Sequence, residues 1–255
     1  MEKMVSTEVV RVRGLEIGKG MPKICVPVAE TSREEILRAA REAGNSAADL
    51  LEWRADCYEE GADRRRVQSL LLSIRREIGD MPLLFTFRTR DEGGAGLCDL
   101  SPRDYLWLNY CALESGAADL ADVELRAGEN VMRTLVGAAH SLGRHIVGSC
   151  HDFQKTPETS RMRDVLLTLD CWGADILKLA VMPREEADVE RLRMAGREAS
   201  VRTGHPVIAI AMGELGKRSR TQAERFGSAV TFGCLGRASA PGQVPVEELA
   251  GLWHQ

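Results

Sequence analysis

The 255-residue chain has no apolar run near the ~18 residues that a membrane-spanning helix needs, so no membrane partner is expected. It has no basic excess either. Its 34 Lys and Arg face 38 Asp and Glu, a formal net charge of −4, without the high pI of a nucleic-acid binder. No C-x-x-C pair occurs among Cys25, Cys57, Cys98, Cys111, Cys150, Cys171 and Cys234, which argues against a zinc ribbon or a dithiol redox pair. The odd number and wide spacing fit free thiols in a reducing cytoplasm. Low-complexity tracts and long linkers are missing. The opening "MEKMVSTEVVRVRG" holds no h-region, so no signal peptide is expected. His140 and His145 lie five apart across a helix-to-strand turn and do not make a metal pair; no metal is expected.

What is there is 44% apolar residue, enough for a full core, in a repeating order. Short β-branched runs alternate with longer amphipathic stretches. The predicted strands are 23–28, 49–54, 83–88, 119–125, 145–150, 175–180, 206–212 and 228–233. The predicted helices are 32–44, 63–79, 101–116, 128–143, 157–172, 184–200, 219–227 and 245–251. Ser32 with Glu35 three residues on is a capping box, with Gly44 placed as the C′ glycine. Ser101 followed by Pro102 is a favoured helix entry. Eight strand–helix units predict an α/β fold, a (β/α)8 TIM barrel forming one domain over 1–255. The first strand runs into "PVAETS" without G-x-G-x-x-G, which argues against a dinucleotide-binding open sheet. Residues 8–20, alternating around Gly14, predict a β-hairpin covering the N-terminal end of the barrel.

One strand carries an anomaly. "GADILKLAVMP" (173–183) is apolar except for Asp175 near its start and Lys178 at its centre, and lysine is rarely buried. Barrel enzymes draw their active sites from strand C-termini and the loops that follow. Applied here, that rule selects Glu52 and Arg54, Arg88 and Glu92, Asp122 and Glu124, His151 and Asp152, Lys178, Lys217 with Arg218 and Arg220, and Ser239 with Gln243. Each alone has a plain explanation. Glu52 and Arg54 share a strand face and suit a structural ion pair. Arg88 can snorkel, and a lone His151 is more often a core histidine. Arg220 alone reads as a surface charge, and Lys217 and Arg218 read as a solvated loop. Convergence on one mouth changes the weighing. A lysine amine between barrel walls, among other cations, can attack a ketone and form a Schiff base. A neighbouring histidine can then move the acidified proton, and arginines can clamp an anionic substrate. These residues point to a Schiff-base lyase or aldolase acting on a small carboxylate. An aldolase would relay protons through Tyr or Glu, for which Tyr58 is the nearest tyrosine. A non-catalytic sugar-acid-binding module would not need Lys178 and His151 together.

The pieces "ICVPV", "LLEWRAD", "LLFTFRTRDEGG", "SCHDFQKTP", "GADILKLAVMP", "IAMGELGKRSR" and "FGSAVTFGCLGRASAPGQ" resemble, in order and over nearly the whole chain, type I 3-dehydroquinate dehydratase. That family is the Schiff-base hydro-lyase of the shikimate pathway. The resemblance implies that 3-dehydroquinate is the small-molecule substrate and 3-dehydroshikimate the product. It implies that Lys178 forms the imine, that His151 moves the protons of a syn elimination, and that Glu92 tunes His151. Glu52, Arg54 and Arg88 would hold ring hydroxyls, Arg220 the substrate carboxylate, and Ser239 and Gln243 would close over the ligand. No metal or organic cofactor is implied, and a cytoplasmic homodimer is expected. The loop "GGAGLCDLSPRDY" after Glu92, with Cys98, is less charged than many family versions.

Overall fold

In the computed structural model, which describes residues 8–97, 99–236 and 242–253, all eight predicted runs form parallel strands. They are β3 (Lys23–Val28), β4 (Leu50–Arg54), β5 (Leu83–Thr86), β6 (Leu120–Glu124), β7 (His145–Asp152), β8 (Ile176–Val181), β9 (Val207–Ala211) and β10 (Val230–Cys234). They pair in sequence order from β3 to β9, and β10 returns to pair with β3 through Val230–Lys23, Thr231–Ile24 and Phe232–Cys25. The remaining seam, β9 to β10, closes through one bridge, Val207–Ser228, and the Ala229 N–H donating to the Val207 carbonyl at 2.7 Å. At this seam a side chain does ladder work: Ser228 Oγ accepts from the Ala209 N–H at 2.8 Å. The predicted (β/α)8 barrel is therefore present.

The helices fall where periodicity and caps place them. They are α1 (Arg33–Gly44), α2 (Arg64–Ile78), α3 (Pro102–Glu114), α4 (Glu129–Ser141), α5 (Thr159–Cys171), α6 (Glu186–Thr203), α7 (Lys217–Thr221) and α8 (Val246–Trp253). Ser32 and Glu35 complete the capping box of α1, and Asp63 and Ser101 cap α2 and α3. Two details differ from the sequence reading. Gly44 ends α1 as a helical residue and Asn45 is the cap; a Cβ at Gly44 would make only an ordinary contact with α2, 3.7 Å from Ile78 Cα. The predicted helix 219–227 starts earlier, at Lys217, and breaks into a 3-10 turn over Ala223–Phe226.

The predicted hairpin is β1 (Val10–Val12) and β2 (Leu15–Ile17), joined by Arg13 and Gly14, both at positive φ, the two-residue turn that matches strand twist. Val10, Val12 and Ile17 pack onto Cys25, Leu50, Leu84, Leu120, Val147 and Ile176, the first inward layer of the barrel. Leu177, Leu179 and Val181 belong instead to the larger core between strands and helices. Alternation along β8 thus turns Ile176, Lys178 and Ala180 to the axis. A short strand, β11 (Val244–Pro245), extends the sheet beside β10.

Candidate active site

Inward positions change character along three of the strands, while β9 and β10 stay apolar inside with Ile208, Ile210, Val230 and Phe232. β4 presents Leu50, then Glu52 and Arg54; β6 presents Leu120, then Asp122 and Glu124. β7 presents Val147, then Ser149 and His151. The N-terminal layer is apolar, and every later layer carries charge. A pocket of about 90 Å³ opens above it, lined by Glu52, Arg54, Arg88, Glu92, His151, Lys178, Arg220 and Gln243, with Ala180, Ile210, Met212 and Phe232 among the apolar walls. Eight of the nine residues to which the family resemblance gives a role therefore line one cavity. Ser239 lies outside the described residues, as does Cys98.

Lys178 is 4% exposed. Its Nζ donates to Asp122 Oδ2 at 3.1 Å and to Glu52 Oε1 at 3.5 Å, and lies 4.5 Å from the centre of the Phe232 ring. The groups touching the amine are carboxylates and a ring face, where sequence reasoning placed cations. Glu52 also accepts from Thr86 Oγ1 at 2.9 Å, which fixes it against β5. Arg54 does not pair with Glu52. It makes a two-pronged bond to Asp56, at 2.8 and 2.7 Å, and Asp56 accepts further from the Arg88 and Ala95 N–H groups. Asp56 thereby ties the loop after β4 to the loop after β5.

His151 is held through Glu92, whose Oε2 lies 2.8 Å from Nδ1 and accepts from the His151 N–H at 3.0 Å. The local sequence explains the placement. Glu92 ends a 3-10 turn, and the two glycines after it admit no side chain. A Cβ on Gly93 would sit 2.4 Å from the Phe153 ring, and one on Gly94 would sit 2.0 Å from the Arg88 carbonyl oxygen. Phe153 in turn lies nearly parallel to the imidazole, ring centres 6.4 Å apart.

Burial pushes the Glu92 carboxyl up to about 8, helped by the nearby Glu124 and Asp122 and opposed by Arg88. Burial, with Arg88 and Lys178 adding like charge, holds His151 well below the ordinary imidazole range. Both groups thus favour their neutral forms, with a proton held along the Nδ1···Oε2 contact. Glu92 Oε1 has no hydrogen-bond partner among the described residues.

Arg88 crosses beneath this pair. It reaches Asp122 and Glu124 at 2.9 Å each, Ser149 Oγ at 3.0 Å and Glu92 at 3.8 Å. Burial opposes its charge, and Asp122, Glu124 and Glu92 more than reverse that, holding it well above the usual arginine value. Burial likewise opposes the charge on Asp122, but Arg88, Lys178 and His151 keep it below the usual carboxylate range. Asp122 is therefore the centre of the network: it touches Lys178, Arg88 and Ser149. Sequence reasoning noticed Asp122 and Glu124 as polar strand-end residues and gave them no role. The signal was present, since both share the inward parity that singled out Glu52 and Arg54. Ser149 and Thr86 carried the same parity signal.

Arg220, on α7, is 2% exposed, yet its protein contacts are sparse. One N–H donates to the Ala211 carbonyl at 2.8 Å, and Nε has no partner among the described residues. Burial lowers this guanidinium to about 10, with Cys234 the opposing influence. A buried cation without a carboxylate partner among the described residues, aimed into a pocket, suits an anionic ligand. Lys217 and Arg218 are exposed and pair with Glu214 and Glu186, as a solvated face would. Tyr58 is buried, but its hydroxyl donates to Glu60 at 2.6 Å, and it does not line the pocket.

Comparison with known proteins agrees with this geometry. A family model described as type I 3-dehydroquinase matches residues 24–255. The chain is 39% identical over 241 residues to a 3-dehydroquinate dehydratase of Clostridioides difficile, covering 94% of each, and 40% identical over 244 residues to one of Bacillus velezensis, covering 95% of this chain and 96% of that one. It is similar to a solved type I 3-dehydroquinate dehydratase from Clostridium difficile with covalently modified comenic acid, at TM-score 0.93 and 38% identity over 98% of this chain and 97% of that one. A second solved 3-dehydroquinate dehydratase, from Geobacillus kaustophilus, gives TM-score 0.94 at 35% identity with the same coverage. With a match running from β3 to the last residue and the polar strand ends gathered in one cavity, the chain belongs to the type I 3-dehydroquinase family.

Proposed function

We propose that this chain is a hydro-lyase that removes water from 3-dehydroquinate to give 3-dehydroshikimate through a Schiff base on Lys178. The observation that carries the proposal is one pocket holding a buried primary amine, an imidazole backed by a carboxyl, and a guanidinium without a counter-charge among the described residues. Lys178 Nζ adds to the substrate ketone and water leaves as the imine forms. The iminium draws electrons from the adjacent carbon and acidifies its C–H bond. His151 takes that proton, the electron pair moves into the iminium to give an enamine, and the returning pair expels the C1 hydroxyl. His151 delivers the proton to that hydroxyl, so acid and base work on one face of the ring, a syn elimination. Water then hydrolyses the product imine and frees Lys178.

Glu92 holds the imidazole by Nδ1 and tunes it. Arg220 pairs with the substrate carboxylate; Glu52, Arg54 and Arg88 hold ring hydroxyls and order the site; Gln243 and Ser239 cover the ligand. The lysine is the electron sink, so the reaction runs without a metal or organic cofactor. On the same reading the protein is a cytoplasmic homodimer serving the shikimate pathway. Light scattering that returned the mass of one chain would remove the dimer.

Borohydride added during turnover of 3-dehydroquinate is expected to reduce the imine and leave a stable mass increase on the Lys178 peptide. Turnover with no trapped adduct would defeat the Schiff-base route.

A further inference from the structure

A second cavity, of about 420 Å³, lies beside the catalytic pocket and shares no lining residue with it. That size falls in the range of small-molecule sites, roughly 300–1,000 Å³. It sits between the loop after β5, the start of α3 and the turn after β6. Its floor is apolar: Phe87 and Tyr105 are 2% and 4% exposed, with Leu100 beside them. Its rim carries both signs of charge. Arg126 reaches Asp91 at 2.5 Å and Arg90 reaches Asp99 at 3.4 Å, all four exposed. Glu124 lines the inner end, 1% exposed, accepting from Thr89 and from Arg88 of the catalytic network.

Exposed ion pairs are worth little in water, so these can open toward a ligand at small cost. A purely anionic guest would leave Asp91 and Asp99 facing it, and a purely cationic one would leave Arg90 and Arg126. A guest with one charge of each sign can exchange with one such pair and leave the other closed. We propose that this cavity is a binding site for a small zwitterion with an apolar ring, the chemical class of an aromatic α-amino acid. Its body lies on Tyr105 and Phe87, and its head exchanges with the Arg126–Asp91 pair. Nothing in the inference depends on the chemistry at Lys178.

The test is fluorine NMR on the full chain with 4-fluoro-L-phenylalanine. A dissociation constant on the order of 1 mM is expected for a guest of this size. The one-charge analogues 4-fluorophenylacetate and 4-fluorophenethylamine should bind at least about tenfold more weakly. Ala127→Trp, at the mouth of the cavity, should abolish binding. Arg126→Glu, a surface reversal that spares the core, should weaken it by a similar tenfold factor, which keeps the test decisive if the tryptophan variant does not fold. Lys178→Ala should leave binding unchanged. Absence of binding, equal binding by either one-charge analogue, or a loss in Lys178→Ala would overturn the proposal. None of those outcomes bears on borohydride trapping.

Discussion

The two ends of the barrel each bury a carboxylate among arginines, and they treat it differently. At the N-terminal end Asp119 is 2% exposed and accepts from Arg13 (2.7 Å), Arg75 (2.6 Å), Arg144 (2.9 Å) and the Leu83 N–H (3.0 Å). Arg13 comes from the hairpin turn, where it takes φ 48, so this cluster also pins the hairpin over the barrel floor. At the C-terminal end Asp122 is equally buried, but its neighbourhood is incomplete: Glu92 Oε1 and Arg220 Nε find no partner among the described residues, and Lys178 ends in the open pocket. A buried polar atom without a partner is costly and needs a reason. The saturated cluster serves the fold, and the unsaturated one is left for a ligand.

The sharpest way to break that contrast is Lys178→Ala. It should lower kcat by a factor on the order of 10⁴ or more in a dehydratase assay at the enone absorbance, since it removes the nucleophile. Residual activity near wild type would show that the site works without its amine. Asp119→Ala tests the opposite end. Three arginines lose their carboxylate, for a loss of about 3 kcal/mol, or a melting point lower by roughly 6 °C in a chain of this length. Catalytic efficiency of the folded enzyme should stay within twofold; a large drop would mean that the lower cluster takes part in chemistry.

Arg220→Ala should raise KM by about 10², the loss of a charge-assisted pair, with little change in melting temperature. An unchanged KM would remove it from the carboxylate site. The smallest effect sharpens the comparison through pH. The folded-state value of Glu92, about 8, lies above the ordinary 4.5 of the unfolded chain, so between those values the folded state holds more protons. Stability from this group is therefore full below the lower value and lost as pH rises through the upper one. Glu92→Gln removes that dependence. Its melting temperature relative to wild type should climb by a few degrees from pH 5 to pH 8.5, and a flat difference would contradict the raised value.

Much of the catalytic end was legible from one-dimensional pattern. Two-residue alternation places Glu52 with Arg54 and sets Lys178 between Ile176 and Ala180 on one face, and strand-end position marks Arg88 and His151. The same rule reached Asp122 and Glu124 but offered no means of telling a structural charge from a working one. The Asp119 cluster was not legible at all. Its arginines lie 106, 44 and 25 residues away in the chain, and no local pattern marks such partners. Asp56, two residues beyond Arg54, sits in a 3-10 turn where strand parity no longer applies. Gly44 is one residue short of the cap because a helix end is fixed only by the folded backbone, and here the Asn45 N–H takes the capping bonds.

The sequence by itself determined the strand–helix order, the N-caps at Ser32, Asp63 and Ser101, the hairpin and the inward side of each strand. These follow from backbone periodicity and short-range hydrogen bonding, which act within a few residues. Only the closed barrel decided which charges are spent on one another. Pairing depends on distances between side chains from different strands, so Arg88 joined Asp122 and Glu124 at the pocket wall, Arg54 turned to Asp56, and Arg220 kept an open face toward the pocket.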